Sequence, residues 1–315
     1  MFFGRLLKIV GLVAVIGIAF ASYHFVSSDS KLRMPQPPEP NGYDVFLDAA
    51  QLLKGELPDE LNSSNTQLRV YVENNRKALE KLREGLLLES RVVMDFQTNV
   101  TAYSQAHLPE LSSLKRLART LAAEGLVASS ENRFSDAMTS FLNCIRLGQK
   151  CSNGGPIIDR MVGIALENLG IKHAGALVKK LNAQQCRDLI RSFEAVNEQA
   201  ETFSDTLANE KLYARGFFGW RGRIGALVAW RSLKAVKQNF ISKAREHDRV
   251  GKQFILETAI RAFTLEKGTN PDGLIDLIPD YLKELPRGSQ TQAVFDYDKA
   301  TGSVTVRMLT TTQVD

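Results

Sequence analysis

Few side chains in this 315-residue chain could bind a metal, shuttle protons or attack as nucleophiles. Histidine occurs four times, at His24, His107, His173 and His247, and cysteine three times, at Cys144, Cys151 and Cys186. A structural zinc site draws four such ligands from closely spaced pairs; Cys144, Cys151, Cys186 and His173 do not have that spacing. An odd cysteine count without a CxxC pair is no disulfide framework, and Cys144 lies on the apolar side of its helical pattern, as a buried thiol would. The histidines have no cysteine or carboxylate at ligand spacing and read as core or surface residues. No HExxH, GxSxG, Walker loop or dinucleotide fingerprint occurs. On this reading the protein has no catalytic residue, cofactor or metal and is not an enzyme.

One charge pattern does suggest an interaction. Between Lys211 and Lys252 stand Lys211, Arg215, Arg221, Arg223, Arg231, Lys234, Lys237, Lys243, Arg245, Arg249 and Lys252, against Glu246 and Asp248 alone. Phe217, Phe218, Trp220 and Trp230 are interleaved with them. The preceding stretch is the opposite, with Asp188, Glu194, Glu198, Glu201, Asp205 and Glu210 against Arg191. The plainest expectation is that two neighbouring helices neutralise each other. The competing one is a contact with anionic lipid or with a protein partner through Arg221, Arg223, Arg231, Lys234, Lys237, Trp220 and Trp230, since tryptophan beside Arg and Lys suits a membrane interface. Nucleic acid is not expected as a partner, because the N-terminus directs this part of the chain out of the cytoplasm.

The elements that would carry these residues follow from periodicity and punctuation. Ile9 to Val26 is an apolar run of 18 residues without a formal charge, just long enough to span a hydrocarbon core. Arg5 and Lys8 flank it on the N-terminal side, which keeps that end cytoplasmic. The favoured reading is a transmembrane anchor over residues 1–28; a signal peptide cleaved after Ala19-Phe20-Ala21 is the alternative. Both export the body to the periplasmic side as an extracytoplasmic domain. Pro35, Pro37, Pro38 and Pro40 make residues 29–41 a semi-rigid spacer.

Residues 42–248 read as a helical body. Asn41 caps a helix bearing Phe46, Ala49, Ala50 and Leu53 that ends near Gly55 and Pro58. A second helix is expected from Asn65 through Leu68, Val72, Leu79 and Leu82, while Arg91–Thr101 has no clear period. Leu114, Leu117, Ala118, Leu121, Gly125 and Ala128 mark the next helix, and Phe134, Ala137, Met138, Phe141, Cys144 and Ile145 the one after, with Gly148 as its stop. Gly154-Gly155-Pro156 restarts the chain into a helix with Ile158, Met161, Val162, Ala165 and Leu169 on one face. Asn182 with Gln185 opens a helix expected to continue through Leu189, Phe193 and Phe203.

Two stretches resemble known families. Leu117–Lys150 resembles one tetratricopeptide repeat, with Gly125, Asn132, Phe134, Ala137, Phe141 and Cys144 at the family's offsets. Leu121 replaces its first-helix aromatic and Gln149 its terminal proline. The C-terminal residues 249–315 carry Gly268, Pro271, Leu274, Leu277, Pro279, Tyr281, Leu282, Leu285 and Pro286 in an order that resembles type II secretion pseudopilins. That resemblance implies a helix, a glycine turn, a short helix folding back, and a β-hairpin over Val294–Tyr297 and Ser303–Met308. It also raises Asp296 and Asp298 as calcium ligands, although a solvated turn is the simpler reading. True pseudopilins place this module directly after the membrane helix, whereas here the helical body intervenes, and Arg287-Gly288 stands in place of their Asp-Pro.

The whole layout is similar to an uncharacterised family of membrane-anchored bacterial helical proteins. The expected fold is therefore mostly α: a transmembrane anchor, a helical-hairpin (TPR-like) body, and a small α+β module. The expected role is a membrane-anchored envelope scaffold for a protein partner, with membrane lipid contacted through the N-terminal helix. A structural component of an envelope or secretion-type assembly is the alternative.

Overall fold

The computed structural model describes residues 35–58, 64–97, 99–228, 230–286 and 293–308, with backbone alone for 215, 218–228, 230–235, 293, 307 and 308. The chain is mostly helical, with a small antiparallel sheet near its C-terminus. The helices are α1 (Gly42–Gln51), α2 (Asn65–Asn74), α3 (Arg76–Leu86), α4 (Val100–Ser130), α5 (Phe134–Lys150), α6 (Ile157–Val178), α7 (Ala183–Asn197), α8 (Phe203–Val228) and α9 (Trp230–Lys267). A 3₁₀ turn, Leu274–Leu277, precedes strands β1 (Ala293–Asp298) and β2 (Ser303–Met308). Arg5, Lys8 and the apolar run Ile9–Val26 lie outside the described residues. No helix among the described residues is long and apolar enough to cross a membrane.

Capping chemistry sets several helix starts as expected. Asn41 accepts the Tyr43 N–H at the head of α1, and Asn182 with Gln185 forms a reciprocal capping box at the head of α7. At the far end of α9, Gly268 adopts φ +75°, the left-handed conformation that closes a helix cheaply only with glycine.

Three expectations are corrected. Asn65–Leu86 is two helices, broken at Asn75. The Asn75 side chain is buried and clamps a distant backbone segment: it accepts the Lys54 N–H at 2.7 Å and donates to the Lys54 and Tyr71 carbonyls. Gly148 does not stop α5, which runs through it to Lys150. There the glycine permits a close helix crossing, since a Cβ at Gly148 would lie 2.5 Å from the Gly163 carbonyl oxygen of α6. The helix opened at Asn182 ends at Asn197, and Phe203 belongs to the next one. Thr202 and Asp205 explain the restart: the Asp205 carboxylate accepts the Thr202 N–H while the Thr202 hydroxyl accepts the Asp205 N–H.

The interior has two main apolar clusters. One joins α1, α3, α4, α5 and α6 around Phe46, Leu79, Leu114, Leu121 and Leu147. The other joins α5, α6, α7 and α9 with the C-terminal segment, through Phe141, Leu189, Phe193, Leu256, Leu277, Tyr281, Val304 and Val306. Burying an aliphatic or Phe side chain contributes about 1.5–3 kcal/mol, so Val304 and Val306 alone tie the hairpin firmly to the helices. In the hairpin, Phe295 opposes Val306 and Tyr297 opposes Val304, as alternation predicts. α9 passes without a break through residues 248 and 249, so body and C-terminal segment share a helix and a core.

Candidate functional site

The chemistry-bearing side chains converge inside the body. His107, on α4, has a side chain only 5% exposed. Its Nε2 lies 2.7 Å from Asp159 Oδ1 on α6, and its Nδ1 lies 2.9 Å from Glu110 Oε2, one helical turn along. Glu110 also accepts the Tyr43 hydroxyl of α1 at 3.2 Å. The rings of Tyr103 and His107 stack with centroids 5.0 Å apart, and Tyr103 reaches on to Tyr213 and Phe217 of α8. One imidazole thus joins α4 to α6 directly, to α1 through Glu110 and to α8 through Tyr103.

Why Asp159 sits there is a matter of local structure. It lies in the first turn of α6, where unpaired N–H groups favour an anion. Two more carboxylates converge on that end: Glu210 accepts the Ile157 N–H at 2.8 Å, and Glu201 accepts the Gly154 N–H and the Asn209 amide. Burial pushes all three acids up, in Glu201 and Glu210 despite those hydrogen bonds and in Asp159 despite His107. For His107, burial opposes the charge, but hydrogen bonds to Asp159 and Glu110, with their charges, outweigh it and push the pKa up to about 9.

A second tie lies two turns further along α6. Glu167 is 1% exposed and ion-pairs with Arg160 through one oxygen. Its other oxygen lies 2.9 Å from His247 Nε2 on α9, while His247 Nδ1 lies 2.7 Å from the Asn168 side-chain oxygen. Burial would raise the Glu167 pKa, but the charge of Arg160 and the bond to His247 dominate and hold it down to about 2.

This geometry limits the chemistry. With a carboxylate on each nitrogen, His107 donates from both and keeps no lone pair to accept a proton or ligate a metal. No group of three or more potential metal ligands occurs among the described residues. The three cysteines form no disulfide and are buried; burial pushes Cys186 up to about 11 and Cys151 higher still, so both are thiols at neutral pH. Asp298 is spent on its own turn, accepting the Ala300 N–H and the Thr301 hydroxyl. Two surface hollows, of about 640 and 330 Å³, are lined by other residues, around Tyr71 and around Arg261.

The sequence reading missed the His107 tie. Its one local signal is the His107–Glu110 spacing, which puts both on one helix face; Asp159 lies too far along the chain to be paired with it by spacing.

The expected neutralisation between the acidic and basic stretches turns on Arg215, Arg221, Arg223, Arg231 and Lys234, whose side chains lie outside the described residues. Asp188 pairs with Arg191, Glu198 with Lys283, Asp205 with Thr202, and Glu201 and Glu210 with the head of α6. On α9, Arg249 pairs with Glu246 and Lys252 with Asp248. Lys211, Lys237, Lys243 and Arg245 are exposed. Arg221, Arg223, Arg231, Lys234, Trp220 and Trp230 are placed by backbone only, on α8 and α9. Glu210 is engaged there because the Ile157 N–H, at the first position of α6, has no intrahelical acceptor.

Fold and site together define a body of packed helices, closed by a two-stranded hairpin and cross-tied inside by two histidine–carboxylate networks. Comparison with protein-family models, with curated proteins and with solved structures gives no match to this chain.

Proposed function

We propose that this protein is a membrane-anchored scaffold that holds a protein partner on the extracytoplasmic side. The observation that supports this most is where the polar chemistry goes. His107, Asp159, Arg160, Glu167 and His247 are buried or nearly so and engaged with one another across helices. Side chains used this way fix one arrangement of helices rather than face a substrate. The apolar run Ile9–Val26, with Arg5 and Lys8 before it, supplies the address.

The test is native mass spectrometry of the full chain extracted from its own membranes in mild detergent. The scaffold reading expects the chain in the membrane fraction, in a complex of fixed stoichiometry heavier than its own 35.0 kDa. Recovery in the soluble fraction would overturn the anchor. Recovery only as a 35.0 kDa monomer in every detergent would overturn the scaffold.

A second reading, a structural subunit of an envelope assembly joined through the C-terminal module, is favoured by one feature. Each strand of the two-stranded sheet has its second backbone edge unpaired among the described residues, and another strand can add to such an edge.

A further inference from the structure

The hollow of about 330 Å³ opens between the C-terminal end of α6, the C-terminal half of α9 and the turn of the hairpin. Val178 and Phe254, both buried, give it an apolar wall. Its rim is held by Asn270, whose Oδ1 accepts the Thr264 hydroxyl and whose Nδ2 donates to the Lys299 carbonyl, each at 3.0 Å. Three charged residues line it, Lys179 and Arg261 against Glu257, which leaves one positive charge in excess. Glu257 already accepts the Gln253 amide at 2.8 Å. Arg261 is half-buried, and its donors are nearly all unspent. Among the described residues it holds no carboxylate, its buried Nε–H has no acceptor, and its one hydrogen bond, from Nη2 to the Lys179 carbonyl, is stretched to 3.5 Å. Arg160, Arg187 and Arg249 by contrast each grip a carboxylate. A guanidinium offers five N–H donors, and leaving them unused away from water is costly.

We propose that this hollow binds an aliphatic carboxylate, its charged group on Arg261 and its apolar body against Val178 and Phe254. A volume near 300 Å³ suits a small molecule or one end of a chain, and an apolar wall with a single convergent charged group is how such sites orient a ligand. The planar fork of arginine matches a carboxylate, and the single excess charge matches a monoanion rather than a phosphate. A free short-chain acid and the C-terminal residue of a peptide both present this chemistry.

The test is isothermal titration of the full chain, in an uncharged sugar detergent, with isovalerate, with isovaleramide and with a tripeptide ending in leucine. The proposal expects isovalerate, the tripeptide or both to saturate one site per chain with a millimolar or tighter Kd. Binding of isovalerate alone assigns the site to free acids, and binding of the tripeptide alone assigns it to a chain end. Isovaleramide, which has the same body without the charge, should bind about tenfold more weakly or worse. Two variants locate the site. Arg261→Gln should weaken binding about tenfold or more, and it breaks no ion pair among the described residues. Gly175→Leu should abolish binding by filling the hollow: a Cβ at Gly175, on α6, would have only Phe254 within 4 Å, at 3.8 Å, and leucine favours a helix more than glycine does. Both variants should keep the circular dichroism and melting temperature of the parent. No saturable binding of either carboxylate overturns the proposal, as does isovaleramide binding equally well, or binding that survives undiminished in either folded variant.

Discussion

Raising the pH from 6.5 to 9 should destabilise this protein, and replacing His107 with glutamine should flatten that dependence. His107 gains carboxylate partners on folding, so its folded pKa is raised from 6.5 to about 9. A raised pKa stabilises the folded state fully below 6.5, and the contribution is lost as pH climbs through 9. The gap corresponds to about 3 kcal/mol at 1.36 kcal/mol per pH unit. That is a ceiling, because the proton is shared within a pair whose other member, Asp159, is itself pushed up by burial. The groups facing His107 from the packed helices are Glu110, Asp159, Tyr43 and Tyr103, with Glu210 and Tyr213 close to Asp159. Burial raises both Tyr43 and Tyr103 above their ordinary 10, so neither titrates in this window. On the acid side Glu167 acts in the opposite sense. Its pKa is held down to about 2, so its contribution is present above 4.5 and lost as pH falls through 2. Taken by themselves, His107 and Glu167 thus contribute most between about 4.5 and 6.5, while the raised carboxyls of Asp159, Glu201 and Glu210 add to the fall as pH rises. The assay is thermal unfolding of the full chain in mild detergent, followed by circular dichroism from pH 6 to 9.5. About 3 kcal/mol corresponds to a fall of about 6–12 °C for a domain of this size. His107→Gln should start lower at pH 6 and lose a slope of up to about 1.4 kcal/mol per pH unit. The same slope in both proteins would refute the reasoning, because the proton taken up on folding would then sit elsewhere.

The remaining predictions concern packing. Asn75→Ala should cost about 2–3 kcal/mol in a denaturant titration, because it leaves the Lys54 N–H and the Lys54 and Tyr71 carbonyls without their partner; a cost within error of zero would mean that water replaces it freely. Cys144, Cys151 and Cys186 should be silent to a thiol reagent under native conditions and all react on unfolding. Rapid reaction of any one in the native protein would contradict its burial. Gly148→Ala should destabilise by about 1–3 kcal/mol, since its Cβ would meet a backbone oxygen that cannot swing away.

How much of this was legible in the sequence divides by range. Asn41, Asn182 with Gln185, and Gly268 act on backbone groups within a few residues of themselves, and each marked a helix end correctly. Alternation in Val304 and Val306 likewise reported a buried face that is there. Asn75 misled because its decisive partner is the backbone of Lys54, 21 residues away. Gly148 misled for a different reason: a helix stop and a close helix crossing both call for a residue without a Cβ, and only the neighbour Gly163 tells them apart. The site follows the same rule. His107 and Glu110 share a turn and could have been paired, but the third member, Asp159, is 52 residues on, delivered by the restart at Pro156. Glu201 and Glu210 were read against the opposite charges that follow in sequence, yet they accept the N–H groups of Gly154 and Ile157, just before and at the head of α6. A short backbone hydrogen bond to a carboxylate at a helix terminus is fixed in place, whereas a long lysine or arginine at the surface must give up rotamer freedom to pair. Of two candidate partners for a half-buried acid such as Glu210, the fixed helix end wins, and its carboxylate accordingly accepts the Ile157 N–H in the first turn of α6.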